Sequence, residues 1–317
     1  MWKCINCGFT ASQKPIKPPL CRNCGLIQAG VGTEEKYKIL EDYCHPLSLI
    51  MRNRNLDHYF IDACAGSGKV QAFGRDEYLD GSPLIMAKTR YWVEKKIKDK
   101  SKPKHVKCIF IEVNPKTYEL LKRWTRRFPD CKLISGDCNQ VLPQVLDNIE
   151  SEIWKPFAFI YIDPFGLGDP PIKMETLRRI LEREYTELFL QLNIDALIRV
   201  AGWLRHLDDP DKRLRQQAES FYEILKVFIG SERIEDFRDK WSKWRKGERE
   251  SKTLEYYISG LSSYYPFIEH IGIPVGSKRP VYYLIYTTRN ETGRKIMRSV
   301  MMKARRRGAE SLERWLR

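Results

Sequence analysis

The sequence predicts an α/β fold: an open, mostly parallel sheet with helices on both faces, preceded by a small metal-dependent module. Three observations carry this reading. From residue 33 onward, short apolar runs that read as buried strands alternate with longer segments of helical periodicity. Two of the runs stop abruptly at loops. Phe60-Ile-Asp-Ala-Cys-Ala-Gly-Ser-Gly68 ends in a glycine turn, and Ile160-Tyr-Ile-Asp-Pro-Phe-Gly166 ends in an acid, a proline and an aromatic ring. Finally, four cysteines stand in two CxxC pairs within the first 24 residues.

The amino-terminal pairs are Cys4-x-x-Cys7-Gly8 and, after 13 intervening residues, Cys21-x-x-Cys24-Gly25. A CxxC turn places two sulfurs on one side of a tight loop, so two such turns supply a closed tetrahedral site. The linker Gln13-Lys-Pro-Ile-Lys-Pro-Pro19 cannot make a core, and a module this short needs a metal to fold. Residues 1–30 are therefore expected to form a zinc-ribbon or rubredoxin-like module ligated by Cys4, Cys7, Cys21 and Cys24. Zinc is the expected ion, with iron as the alternative. The expected role is structural, or a small platform for RNA or a partner protein. Cys44, Cys64, Cys108, Cys131 and Cys138 lack ligand spacing and are expected as core thiols.

Residues 31–317 make the large domain. The segment Glu34–Arg54 has apolar residues at helical spacing (Tyr37, Leu40, Leu47, Ile50). Tyr59–Asp62 is the first strand, and Ala63–Gly68 is the turn, where glycine removes the Cβ and lets a ligand approach the backbone. The pattern Asp-x-x-x-Gly-x-Gly differs from the Gly-x-Gly-x-x-Gly of dinucleotide folds. It also lacks the end of a P-loop, because Gly68-Lys69 is followed by Val70, which argues against triphosphate hydrolysis. A loop at 70–81 and a helix over Ser82–Lys98 are expected next. Lys107–Glu112 is the second strand, ending in an acid placed to accept ribose hydroxyls. A helix over Tyr118–Phe128 follows, then a third strand, Lys132–Asp137. Phe157–Ile162 is the most apolar run and the expected central strand. A helix could not continue into Asp163-Pro164, because proline pushes the residue before it out of the helical region. Glu187–Asn193 and Tyr282–Thr288 complete the strands. Between these two strands, residues 195–259 are helical and charged, an insertion that serves as a substrate-binding subdomain or as a cap over apolar surface. Asn290–Trp315 reads as a capped basic helix.

The formal charge is +15, with 56 Lys and Arg against 41 Asp and Glu. That excess favours a polyanionic partner, since neutralising phosphates releases condensed counterions. The 31% charged content also fits an ion-pair-rich surface of a heat-adapted protein. Basic residues concentrate at 88–107, with nine against two acids, and at 289–317, with ten against three. The chain has no apolar run long enough to span a bilayer and no signal-peptide pattern, so a soluble, cytoplasmic protein is expected.

In this order and spacing, the two loop-ending strands resemble motifs I and IV of class I S-adenosylmethionine (SAM) methyltransferases, in the branch that methylates exocyclic amino groups of bases. The resemblance implies a Rossmann-like sheet. It also implies a cofactor site at Asp62, Ala63, Gly66, Gly68, Glu112 and Asp137, the last facing the adenine amino group. The set Phe60–Gly68, Gly81-Ser-Pro83, Ile162-Asp-Pro-Phe-Gly166 and Asn290-Glu-Thr-Gly-Arg-Lys-Ile-Met297 further resembles the three-Cys-motif partner (TcmP) family over roughly residues 35–305. Locally, Asp163-Pro164-Phe165-Gly166 is similar to the motif of tRNA guanine-N2 dimethyltransferases. It departs from the commoner Asp/Asn-Pro-Pro-Tyr/Phe pattern by lacking the second proline. By this resemblance Asp163, Pro164, Phe165 and Gly166 are catalytic. Asp163 and a following carbonyl accept the amine N–H groups, and Phe165 stacks on the base. The implied activity is exocyclic N-methylation in structured RNA, ribosomal cytosine N4 ahead of tRNA guanine N2. A DNA amino-methyltransferase and a non-catalytic SAM- or RNA-binding partner protein are the alternatives.

Overall fold

The computed structural model describes the chain except Met1, Phe9, residues 12–19, Val31, Asn55, Phe73, Gly74, residues 96–105, Trp154, residues 165–170, residues 276–278 and Arg317. It opens with β1 (Trp2–Lys3), β2 (Thr10–Ala11) and β3 (Ile27–Gln28). These are followed by α1 (Thr33–Asn53), β4 (His58–Asp62), β5 (Lys69–Gln71), β6 (Tyr78–Asp80) and α2 (Ser82–Lys95). The next units are β7 (Val106–Glu112), α3 (Pro115–Thr125), β8 (Cys131–Ser135), α4 (Cys138–Glu152) and β9 (Phe157–Ile162). Then come α5 (Met174–Leu181), β10 (Thr186–Leu192), α6 (Ile194–Ala201), α7 (Lys212–Ile229), α8 (Ile234–Lys243) and α9 (Arg249–Ser262). The chain closes with β11 (Phe267–Ile273), β12 (Tyr282–Thr288) and α10 (Glu291–Leu316).

Seven strands form one sheet in the order β11-β12-β10-β9-β4-β7-β8. The pairs β4–β7, β7–β8, β4–β9 and β9–β10 are parallel, while β12 runs antiparallel to both β10 and β11. The chain builds outward from β4 through β7 to β8, then crosses to start the other half at β9. That reversal lies between β4 and β9, where an open α/β sheet leaves a crevice at the carboxyl ends of its strands.

Side-chain alternation sorts the central strands onto two cores. Tyr59, Ile61, Ile160 and Ile162 face one side, under α4 and α5 and under α6 to α9 of the insertion. Phe60, Phe159, Tyr161 and Phe189 face the other, under α1, α2 and α10. The insertion contributes Leu225, Phe228, Phe237, Trp241 and Tyr257 to the first core, so it covers the sheet with a continuous apolar face. Asn290 caps α10, its Oδ1 accepting from the Thr292 and Gly293 amides at 2.8 and 3.2 Å. Among the described residues, no helix is long and apolar enough to cross a membrane.

Two stretches differ from the sequence reading. The expected loop at 70–81 contains a hairpin, because β5 pairs with β6 and also accepts β3 from the amino-terminal module. The edge strand β11 was not foreseen: Glu269, His270 and Gly272 interrupt its apolar alternation, as befits a strand with one free edge.

Candidate cofactor and acceptor site

The sheet brings four sequence-predicted acids to its carboxyl edge. Asp62 ends β4 and is fully buried, its Oδ1 accepting from the Cys64 amide at 3.2 Å. Its Oδ2 makes no hydrogen bond of good geometry among the described residues. Burial pushes this carboxyl up to about 7; the nearby Ser82 side chain and the Cys64 amide counter that, and the charges of Asp163 and Glu112 add to it. Ala63 donates its amide to Tyr161 O and Ala65 to Ile111 O, both at 2.9 Å, which ties the turn to β9 and β7.

Gly66 and Gly68 then take φ of 64° and 76°, a left-handed backbone that side chains with a Cβ rarely adopt. Glu112, at the end of β7, accepts from the Gly66 amide through Oε2 at 2.8 Å and from the Asn114 amide through Oε1 at 2.7 Å. Its carboxyl is raised, burial outweighing those amides. Asp137 follows β8 and caps α4, Oδ1 accepting from Asn139 N at 2.9 Å and Nδ2 at 3.0 Å. The sequence reading gave Asp137 a ligand role and did not foresee the cap.

Asp163 follows β9, beside Asp62. Its Oδ2 accepts from Lys36 Nζ at 2.5 Å and from the Tyr161 hydroxyl at 3.2 Å. Lys36 also donates to Gln191 Oε1 of β10 at 3.1 Å, and its ammonium lies 5.3 and 5.6 Å from the ring centres of Tyr37 and Tyr282. Lys36 and Gln191 were missed by sequence reasoning. Lys36 sits in the first turn of α1, where a lysine looks like solvated helix surface, and Gln191 lies within an apolar strand. Pro164 is buried, whereas Phe165 and Gly166 lie outside the described residues.

The structure fits SAM on its own chemistry. Three carboxyls, Asp62, Glu112 and Asp163, gather at the crevice, which suits a cationic ligand, and Asp62 Oδ2 is a buried acceptor with no hydrogen bond of good geometry, Ser82 being the side chain beside it. The glycine turn packs its two glycines against Ile27, Leu121 and Trp124, which fixes its path beside Asp62 and Glu112.

The four cysteine sulfurs lie within 4.8 Å of one another, with Cys4–Cys24 at 3.7 Å and Cys7–Cys21 at 3.6 Å. Tetrahedral zinc with Zn–S bonds of about 2.3 Å sets sulfurs about 3.8 Å apart, so the donors fit a closed four-thiolate site for zinc or iron. Gly8 and Gly25, at φ 73° and 75°, turn their amides onto the Cys4 and Cys21 carbonyls.

This module does not stand apart. Gln71 of β5 donates through Nε2 to Lys3 O at 3.0 Å and accepts from Ile5 N at 3.4 Å. Thr117 of α3 donates to Gly25 O at 3.2 Å, and Leu26 is buried with Leu120 and Trp124. Ile27 donates its amide to Ser67 Oγ at 3.3 Å, and a Cβ on Gly66 would come within 2.6 Å of its Cδ1. The module thus forms one wall of the glycine turn.

No protein-family model and no curated protein matches the chain. Among solved structures, protein LPL1258 from Legionella pneumophila superposes with a TM-score of 0.50 at 10% identity, over 87% of this chain and 92% of that one. Human methyltransferase-like protein 13, solved with SAH, gives 0.41 at 10% identity over 87% and 91%. The O-methyltransferase from Bacillus cereus, also with SAH, gives 0.34 at 15% identity over 80% of each. These identities speak to fold alone. The seven-stranded sheet, with its single reversal and antiparallel β12, is the Rossmann-like methyltransferase fold that the motifs anticipate. The resemblance to the TcmP family rests on its short motifs.

Proposed function

We propose that the chain is a SAM-dependent N-methyltransferase acting on an exocyclic amino group of a base in structured RNA. The observation that carries this reading is the Lys36 ammonium held between Asp163 Oδ2 and Gln191 Oε1. Two side-chain oxygens from neighbouring strands converge on one N–H donor at the crevice, the arrangement an amine substrate requires.

When bound, SAM supplies an electrophilic methyl group. Glu112 would accept its ribose hydroxyls, Asp62 would face its cationic end, and the turn through Gly66 and Gly68 would shape the loop beside it. An amine conjugated to a base ring is a poor nucleophile. Asp163 and Gln191 accept its N–H bonds, which orients the nitrogen and draws the lone pair out of the ring. Asp163 is then placed to take the proton that the amine releases. Lys36 must turn aside or share these acceptors while the base is in place. Phe165, next along the loop, would stack on the base, worth roughly 1–3 kcal/mol.

The test is isotope-labelled SAM with total RNA from a strain lacking the gene, followed by nucleoside mass spectrometry. Labelled N4-methylcytidine in rRNA is the first expected product and N2-methylguanosine in tRNA the second; label on DNA alone would replace RNA as the substrate class. SAM binding with no label on nucleic acid would overturn the reading.

A further inference from the structure

We propose that the exposed face of α3, together with the start of β8, binds the phosphate backbone of the RNA, at the β8 edge of the sheet, away from the acceptor site on the central strand β9. This rests on the RNA reading above and adds a second contact to it. Lys116, Lys122, Arg123, Arg126, Arg127 and Lys132 are all exposed along this surface. Against them stand Glu119, which is exposed, and Asp130, which is tied to the buried Arg90 at 2.6 Å.

None of the six cations has an acidic partner among the described residues. Lys116 donates to a carbonyl, Arg22 O at 2.9 Å. Arg123 and Arg127 lie over the Trp124 and Phe128 rings at 5.4 and 5.1 Å, contacts that hold a guanidinium flat without neutralising it.

Several cations elsewhere are answered by carboxylates. In the insertion, Lys240, Lys243 and Lys252 pair with Asp236, Asp239 and Glu248 one helical turn away, and Arg238 pairs with Asp208. On α10, Lys303 and Arg307 both reach Asp42, and Arg294 reaches Glu269. The exposed cations of α3 are therefore left without carboxylate partners among the described residues, whereas the insertion lysines just named are paired.

The shape suits a backbone. Lys122, Arg123, Arg126, Phe128, Cys131 and Leu133 line an open cleft of about 540 Å³ at the carboxyl end of α3. The helix has 11 residues, so it carries its charges over about 16 Å, from the edge that bears Glu112 to the cleft. A strand lying along this row would be held by its phosphates while one base enters the crevice. Contacts of this kind set register and affinity without reading sequence.

The test measures binding of a fluorescent tRNA transcript by anisotropy between 50 and 200 mM KCl. The protein is compared with a Lys122→Gln/Arg123→Gln/Arg126→Gln/Arg127→Gln variant and with a Lys240→Gln/Lys243→Gln/Lys252→Gln control. The α3 variant should bind at least tenfold more weakly, and its log Kd should depend on log salt with a slope smaller by about 3.6, each of the four lost phosphate contacts removing about 0.9. The control should match the parent, and SAM affinity by calorimetry should be the same in all three. On the unmutated protein, bound tRNA should also protect Cys131, which lines the cleft, from iodoacetamide. An α3 variant that binds like the parent, or an unprotected Cys131, overturns this surface and leaves the RNA reading standing. A parent protein that binds no RNA overturns both. Polyglutamate competing as well as RNA overturns the surface in favour of an acidic protein partner.

Discussion

Lys36 and Asp163 are 127 residues apart in the chain, and their charged atoms are 2.5 Å apart. The contact joins the first turn of α1 to the end of the central strand, with side chains only 8% and 15% exposed. Two ions removed this far from water hold each other in place, and neither can be removed without leaving the other uncompensated. The pair is also the point at which the sheet meets its proposed substrate.

Asp163→Ala should abolish methyl transfer and leave SAM binding largely intact. A group that orients the amine and takes its proton contributes about 100-fold or more. Methyl incorporation alongside calorimetry checks this, and turnover equal to the parent would remove Asp163 from the chemistry.

Lys36→Met should destabilise the fold by about 3 kcal/mol, because it leaves a buried carboxylate with the Tyr161 hydroxyl as its one remaining donor among the described residues. In thermal denaturation this corresponds to a loss of about 5–10 °C. Adding Asp163→Asn to that variant should recover most of the loss, since the stranded charge is gone.

Asp62 should make both stability and cofactor binding depend on pH. Its carboxyl is raised to about 7 in the folded chain, against about 3.9 in an unfolded one. Between those values the folded state holds a proton that the unfolded state has released, so stability from this group falls as pH rises from about 4 to 7 and is level above. A cationic ligand needs the ionised form, so SAM affinity should rise toward pH 7 and flatten beyond it. Calorimetry across pH 5.5–8 should show that rise in the parent and not in Asp62→Asn.

Much of this site was legible because it sits where strands stop. Asp62, Glu112, Asp137 and Asp163 each follow an apolar run, and a buried strand that ends in an acid announces itself in one dimension. Lys36 and Gln191 had no such signature. Each becomes a site residue only through a contact that spans 127 or 155 residues, and sequence periodicity carries no information about contacts of that length. The same holds for β5 and β6. Their short, partly polar segments resemble a loop until β3 arrives from the cysteine module to complete the small sheet.

That module should govern cofactor affinity, an effect that a role as a platform for RNA alone would not produce. Ile27 stands against Gly66 and binds Ser67, so loosening residues 1–30 loosens the glycine turn. Stripping the metal with a chelator, or Cys21→Ser, should weaken SAM binding as well as lower the melting temperature. Gly66→Ala should do the same with the metal retained, because it forces a left-handed residue and a clash with Ile27; the backbone part alone costs about 1–2 kcal/mol. SAM affinity unchanged by metal removal would uncouple the two.

The order of synthesis gives the cysteine module a further demand. Its knuckles are made before the sheet, and Thr117, which donates to Gly25, follows 92 residues later. At ordinary translation rates that is a wait of roughly 5–20 s. During it α3 does not exist to shelter Leu26, and the β5–β6 hairpin that pairs with Ile27 arrives only partway through. A metal held by the four cysteines would let the newborn segment keep its shape before its partners in the large domain are made. The last step in shaping the cofactor turn is then the docking of a piece that was finished before the turn was translated.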